Sequence, residues 1–294
     1  MDRNQPIVSA NDVSNLRVSV VGLGVLGSAM YKVFKDKNIN LNFYDKYKHI
    51  HPISAIDDSD IIFICISTPY DDDKKDYNLT EIENILGYLT TINYKNIVAI
   101  KSTIGVGTSK KLKNQYNLNI MYNPEFCSAD TAEYDIRNQS NIIIGTEYGL
   151  NVDTSTVNNL YLFYKYHWRH ADISICTFAE AELIKLSLNS FYCVKVQFFN
   201  EIYQATKHNG VSYNRVLELM LKNNTINKSH TTVPGKKGML SYHGSCLPKD
   251  VNSMSAYLTR NELPNNVIKS AVDGRNNFLT NIINKDVKKS VSQI

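Results

Sequence analysis

The sequence predicts an α/β protein, with a parallel, doubly wound sheet in its N-terminal part and an all-helical part after it. Three observations carry that prediction. A glycine motif, G-x-G-x-x-G, lies between an apolar strand and an amphipathic helix near the start. Short apolar runs then alternate with helical patterns through the first half. From Phe178 the strand-like runs stop and long helical patterns replace them.

The first strand is Val18 to Val21. The chain turns through Gly22, Gly24, Val25, Leu26 and Gly27 and enters a helix. Glycines in this context let backbone approach a pyrophosphate, whose charge the helix N-terminus stabilises. A second strand, "NLNFYD", ends at Asp45. A carboxylate there accepts both hydroxyls of an adenosine ribose and repels a 2′-phosphate, which favours NAD over NADP. This is the Rossmann arrangement. Further strands are expected in "DIIFICIST", "NIVAIKST", "NIMYNPEF", "NIIIGT" and "ADISICTF". Between them, "LTEIENILGYLTTI" places Leu79, Ile82, Ile85 and Leu86 on one helix face.

Ligands of such sheets sit at the carboxyl ends of the strands. Three polar tips fall there: Ser67-Thr68-Pro69, Lys101-Ser102-Thr103 and Asn123-Pro124-Glu125. After Phe178 a long helix is expected to run to His208 and stop at Asn209-Gly210. Lys185 and Asn189 lie one turn apart on it. That spacing fits a lysine whose stem packs while its head reaches water. It fits equally a lysine that presents its ammonium to a substrate oxygen. "SYNRVLELMLKNN" and "PNNVIKSAVDGRNNFLTNIINKDV" are expected as further helices. The domains expected are an N-terminal extension over 1–16, a dinucleotide-binding domain over 17–177 and a helical domain over 178–294.

At 294 residues the chain is long enough for two cores. A net charge of +4 without a basic run argues against nucleic acid. The longest apolar run, Ile61 to Ile66, is far too short to cross a bilayer, and the N-terminus has no apolar signal core. Five scattered cysteines form no metal-binding spacing, and no metal is expected. His167 and His170 read as a solvated pair. The chain reads as soluble, reduced and cytoplasmic.

One stretch concentrates reactive groups: "HGSCLPKD", His243 to Asp250. Taken alone, Cys246 fits a packing thiol. Taken with "GLGVLG", "STP", "KSTIGVGT", "NPEF" and "AEAELIKLSLNSF...NE", the sequence resembles the UDP-glucose dehydrogenase family, NAD-dependent four-electron oxidases of sugar nucleotides. The resemblance runs from Arg17 to about Phe278. It implies a 6-phosphogluconate-dehydrogenase-like helical domain and a homodimer. It implies Cys246 as nucleophile, Lys185 and Asn189 as oxyanion-stabilising pair, and Glu125 in thioester hydrolysis. Asp250 would assist proton transfer, with Lys249 near the cofactor. Thr103 would serve the cofactor and water site, with Thr68 beside it. Tyr242 and Gly244 would lie near a UDP-sugar substrate.

The chemistry of the residues agrees. Oxidising a primary alcohol to an acid removes two hydrides and passes through an aldehyde. A cysteine traps the aldehyde as a thiohemiacetal, and the second hydride leaves a thioester for water to hydrolyse. Such a route needs a nucleophilic thiol, a cation for the oxyanion and a base for water. A two-electron β-hydroxyacid dehydrogenase would share the two-domain plan and the Lys-x-x-x-Asn helix but needs no cysteine. A non-catalytic NAD-binding protein would have no reason to retain all these groups.

The sequence also departs from the family pattern. "YDKYKHIHPISAIDDSDIIF" crosses directly from Asp45 to the next strand, so a helix and a strand are expected to be missing. Gly105 stands where the family has proline, Ala129 beside Asp130 where it has glutamate, and His243 where it has glycine. The sequence ends where the family's C-terminal UDP-binding domain would begin, which leads to the expectation that this domain is absent.

Overall fold

The computed structural model describes residues 13–149 and 154–291. Residues 1–12 of the expected N-terminal extension lie outside the described residues. In chain order come β1 (Arg17–Val21), α1 (Val25–Asp36), β2 (Asn40–Tyr44), a 3-10 turn (Ile53–Ile56) and β3 (Ile61–Ile64). A hairpin of β4 (Tyr70–Asp71) and β5 (Asp76–Tyr77) follows, then α2 (Thr80–Thr91), β6 (Ile97–Ile100), α3 (Thr108–Tyr116) and β7 (Asn119–Tyr122). Next are α4 (Ala132–Arg137), β8 (Asn141–Thr146), α5 (Thr154–His167) and β9 (Asp172–Thr177). The rest is helical: α6 (Phe178–His208), α7 (Tyr213–Leu221), α8 (Leu247–Arg260) and α9 (Asn266–Val291).

Seven strands form one sheet in the order β2-β1-β3-β6-β7-β8-β9. β1, β3 and β6 are wholly or almost wholly buried. Helices cover both faces of such a sheet, so β3 and β6 read as unbroken apolar runs, while in β1 the buried Ser19 is paired with Ser59 at 2.6 Å. On one face the rings of Phe34, Phe63, Phe163, Tyr164 and Trp168 meet edge-on or tilted. Phe34 is 1% exposed. Truncating it to alanine would open a cavity costing about 3–5 kcal/mol. On the other face Ile82, Ile85, Leu86 and Leu89 of α2 pack on Ile62, Val98 and Ile100.

Two features depart from a uniform parallel sheet. β7 and β8 meet antiparallel, at the single pair Tyr122–Gly145. Beyond that pair the Asn123 side chain continues the contact, donating from Nδ2 to the Ile143 carbonyl at 2.7 Å. At the other edge β2 is an outermost strand. The 3-10 turn Ile53–Ile56 fills the direct crossing to β3 that the short segment after Asp45 required.

The chain divides into two compact units. The first runs to Pro69 and resumes over Tyr77–Lys185, while the second takes Tyr70–Asp76 and the chain from Leu186. The boundary thus falls inside α6 and not at its start. Within the second unit, Cys193, Tyr242 and Val251 form one small core, and Phe199, Tyr213 and Val233 form another. No described helix is long and apolar enough to cross a membrane.

Candidate active site

In the first unit the glycine turn shows why two of its glycines are needed. Gly22 has φ +87, and a Cβ there would lie 3.0 Å from the Cys65 carbonyl oxygen. A Cβ on Gly27 would lie 1.8 Å from the Gly22 carbonyl oxygen, so the helix can start this close only on glycine. Gly24 differs: no protein atom lies within 4 Å of where its Cβ would be. It is the N-cap of α1 and gives no side-chain cap. Open space over uncapped N–H groups fits a pyrophosphate. Val25, the next residue, is 60% exposed.

Asp45 stands just past β2 and is buried. Its Oδ2 accepts from Leu23 N at 2.6 Å, and its Oδ1 from Tyr47 N at 3.0 Å and Lys48 N at 2.9 Å. Burial pushes this carboxyl up. The backbone N–H groups and the Lys48 charge outweigh it and hold the group below the usual carboxylate range. Asp45 is therefore an ionised acceptor tied to the glycine turn, which fits ribose hydroxyls. It also braces the turn, a task the sequence does not announce.

The three polar strand tips are laced together. Thr68 Oγ1 donates to the Thr103 carbonyl at 2.7 Å, and Ser102 Oγ to the Ile66 carbonyl at 2.6 Å. The buried Lys101 ammonium donates to the Asn123 carbonyl and to Asn123 Oδ1, both at 3.0 Å. Burial pushes the Lys101 pKa down. Thr68 is 2% exposed and Thr103 9%, so both residues are buried.

Glu125, at the tip after β7, meets Lys185 of α6. Lys185 Nζ lies 2.6 Å from the Glu125 carbonyl oxygen and 3.1 Å from Glu125 Oε1. From another direction Cys127 donates twice to Glu125 Oε2, from N at 2.6 Å and from Sγ at 2.7 Å. Burial pushes the Glu125 carboxyl up, but the Lys185 charge and these hydrogen bonds hold it below its ordinary value. The Lys185 head therefore pairs with a carboxylate instead of reaching water. One turn earlier, buried Glu182 accepts from Gly107 N at 2.6 Å and Ser109 N at 2.8 Å. It caps α3 and ties the loop after Thr103 to the start of α6, while burial pushes its carboxyl up. Sequence reasoning missed Glu182 and Cys127. The signal for Glu182 was an acid three residues before Lys185 on the same, mostly apolar, helical stretch.

In the second unit Cys246 is exposed and stands at the N-cap of α8. Asp250, one turn on, is fully buried. Its Oδ2 accepts from Asn189 Nδ2 at 2.5 Å and its Oδ1 from Lys249 Nζ at 2.5 Å. The expected pair is thus divided in its bonding: Lys185 holds Glu125 and Asn189 holds Asp250.

The loop before the cysteine is clamped. Ser241 (φ +67) donates from N to Asn200 Oδ1 at 2.8 Å and from Oγ to Gln197 Oε1 at 2.9 Å. Arg275 Nε donates to the Tyr242 carbonyl at 3.1 Å. Tyr242, expected near the substrate, is buried. Its side chain is 2% exposed, packs with Cys193 and Val251, and donates to the Ala271 carbonyl at 3.2 Å. An aromatic residue before a reactive loop reads like a ligand contact, yet here it anchors the loop. Gly244 (φ +92) has open space around its α-carbon. Among the described residues no cluster of His, Cys, Asp and Glu could hold a metal ion.

Comparison with known proteins places both units in one family. Residues 37–164 match the NAD-binding domain of the UDP-glucose/GDP-mannose dehydrogenase family, and residues 179–277 match its central domain. A UDP-glucose 6-dehydrogenase of Campylobacter jejuni is 30% identical over 85% of this chain and 63% of its own length. One from Streptococcus pneumoniae is 26% identical over 83% of this chain and 60% of its own. The chain therefore spans about six-tenths of these curated relatives. The solved structure of a UDP-glucose dehydrogenase from Pyrobaculum islandicum shares the fold with a TM-score of 0.77. That match is 22% identical and covers 91% of this chain and 69% of the other.

Proposed function

We propose a function from one premise: this chain belongs to the UDP-glucose/GDP-mannose dehydrogenase family. It carries out the NAD-dependent four-electron oxidation of a sugar nucleotide at its C6 alcohol, most simply of UDP-glucose to UDP-glucuronate. The observation that carries this reading is the exposed Cys246 at the head of α8, one turn before the buried Asp250 that Asn189 and Lys249 hold.

Gly22, Gly24, Gly27 and Asp45 would hold NAD, which supplies the hydride acceptor when bound. The protein's own groups do the rest. Cys246 Sγ adds to the C6 aldehyde and forms a thiohemiacetal. Loss of the second hydride leaves a thioester, and water displaces the thiol to give the acid. Lys185 and Asn189 steady the developing oxyanion, Glu125 takes the proton of water, and Asp250 assists proton transfer. One sugar nucleotide, one water and two NAD+ yield the acid, two NADH and two protons.

Our reading includes a cytoplasmic homodimer. All five cysteines are free, as in a reducing compartment. Leu188, Phe191 and Phe198 expose apolar surface along α6, which a second copy would cover.

The test counts NADH per sugar nucleotide across a panel of UDP- and GDP-sugars, for wild type and Cys246→Ala. Two NADH and a uronic acid are expected, with a loss of about a thousandfold or more in the variant. One NADH per substrate with an active Cys246→Ala would replace this reading with a two-electron dehydrogenase.

A further inference from the structure

We propose that Cys127 is a positioning residue: its thiol saturates Glu125 Oε2 and so directs the base function of Glu125 to Oε1, beside Lys185. The proposal rests on the reading of Glu125 as the base for thioester hydrolysis.

An ionised carboxylate offers about four lone-pair positions, two per oxygen. On Glu125, Oε2 receives two donors from one residue, Cys127 N at 2.6 Å and Cys127 Sγ at 2.7 Å. Oε1 receives one, Lys185 Nζ at 3.1 Å. The same ammonium holds the Glu125 carbonyl at 2.6 Å, so the lysine fixes backbone and side chain together. A single position remains, on Oε1. A water activated by this carboxylate would give its proton there, next to the cation.

The thiol acts as a neutral donor. Burial, then the Glu125 charge, pushes the Cys127 pKa far above the usual thiol range, so its proton stays on sulfur. The other groups facing this carboxylate come from three elements: Lys185 on α6, Lys101 just past β6, and Cys65 just past β3. Burial pushes Cys65 up to about 12, so it too stays neutral. The Lys185 ammonium therefore stabilises the charge on Glu125, and the Cys127 thiol settles which oxygen stays open. The backbone N–H of residue 127 would survive any substitution there except proline. Only the second donor is at the discretion of the side chain.

The experiment follows the Glu125 carboxyl itself. Infrared difference spectra of the whole protein are recorded across a pH titration, with Glu125→Gln identifying the band. Cys127→Ala removes one hydrogen bond to the charged form, so the midpoint should rise by about half to one pH unit. Cys127→Ser restores a donor and should bring the midpoint back. Cys127→Thr and Cys127→Val repeat the comparison with a filled cavity, in case alanine loosens the turn. The acid limb of the pH–rate profile should move in the same sense in each variant. An unchanged midpoint in the Ala and Val variants, or a Ser variant that titrates like Ala, overturns the proposal. The spectroscopic midpoint does not depend on turnover. A failure of the four-electron reading in NADH counting would therefore be distinguishable from a failure of this one.

Discussion

Lys185 binds two oxygens of one residue, the backbone carbonyl and Oε1 of Glu125, and only 4% of it is exposed. Removing one partner of a buried pair leaves the other charge uncompensated. Lys185→Ala should therefore cost about 3–5 kcal/mol of stability as well as slowing both hydride steps. The pH dependence has a definite sign. The Glu125 carboxyl is held below its ordinary value, so its contribution is full above that ordinary value and is lost as pH falls through the lowered one. Urea unfolding between about pH 3 and pH 7 should show a weaker loss on acidification in Lys185→Ala than in wild type. Equal acid slopes would mean that the pair does not set the Glu125 charge.

Cys246 should be the first thiol to react. It is the exposed one of five, while Cys65 and Cys193 are buried. Burial pushes Cys176 up to about 11 and Cys127 well beyond that. Limiting iodoacetamide at neutral pH, followed by peptide mapping, should find the label on Cys246. The labelled protein should lose turnover and keep dinucleotide binding. Labelling of Cys127 or Cys176 ahead of Cys246 would argue that another thiol is the reactive one.

Cofactor choice should follow the charge of Asp45. Calorimetry should find NAD bound more tightly than NADP, because a 2′-phosphate would face an ionised carboxylate. Asp45→Ala removes both the ribose acceptor and the brace on Leu23 N, and should weaken NAD about tenfold or more. Asp45→Asn keeps an acceptor for the brace and loses the charge, so it should mainly narrow the preference. NADP binding as tight as NAD in the wild type would remove Asp45 from the assignment.

Assembly should follow the exposed face of α6. Phe191 is 58% exposed and Phe198 47%, a large apolar area to leave in water. Light scattering at micromolar concentration should give a dimer, and Phe191→Asp with Phe198→Asp should give a monomer with unchanged far-UV circular dichroism. A monomeric wild type at that concentration would rule out the dimer.

Much of the fold was legible because its signals are local. The glycine turn, the apolar runs of β1, β3 and β6, and the limits of α6 at Phe178 and His208 rest on neighbouring residues alone. Gly210, with φ +65, ends α6 where a left-handed residue is needed. The direct crossing after Asp45 was visible as a short count of residues, and β2 is accordingly an outermost strand. The helix α8 after Cys246 was not read, although Pro248 in its first turn was a signal for it. The reactive side chains of "GSCLPKD" sit at the head of that helix, where capping and reactive chemistry share the same residues.

The sequence by itself determined the inventory: a dinucleotide turn with an acid after the second strand, three polar strand tips, a Lys-x-x-x-Asn helix and one cysteine in a Gly-Ser turn. Tertiary structure alone decided the partners. Lys185 went to Glu125 and Asn189 to Asp250, although the two share a helix face. Tyr242 went into a core and Glu182 to the head of α3. The direction of β8 was also settled there. The physical reason is one of range. Periodicity and turn chemistry act over a few residues, whereas a buried polar group must be satisfied by whatever donor or acceptor the packed chain brings within about 3 Å, however distant in sequence.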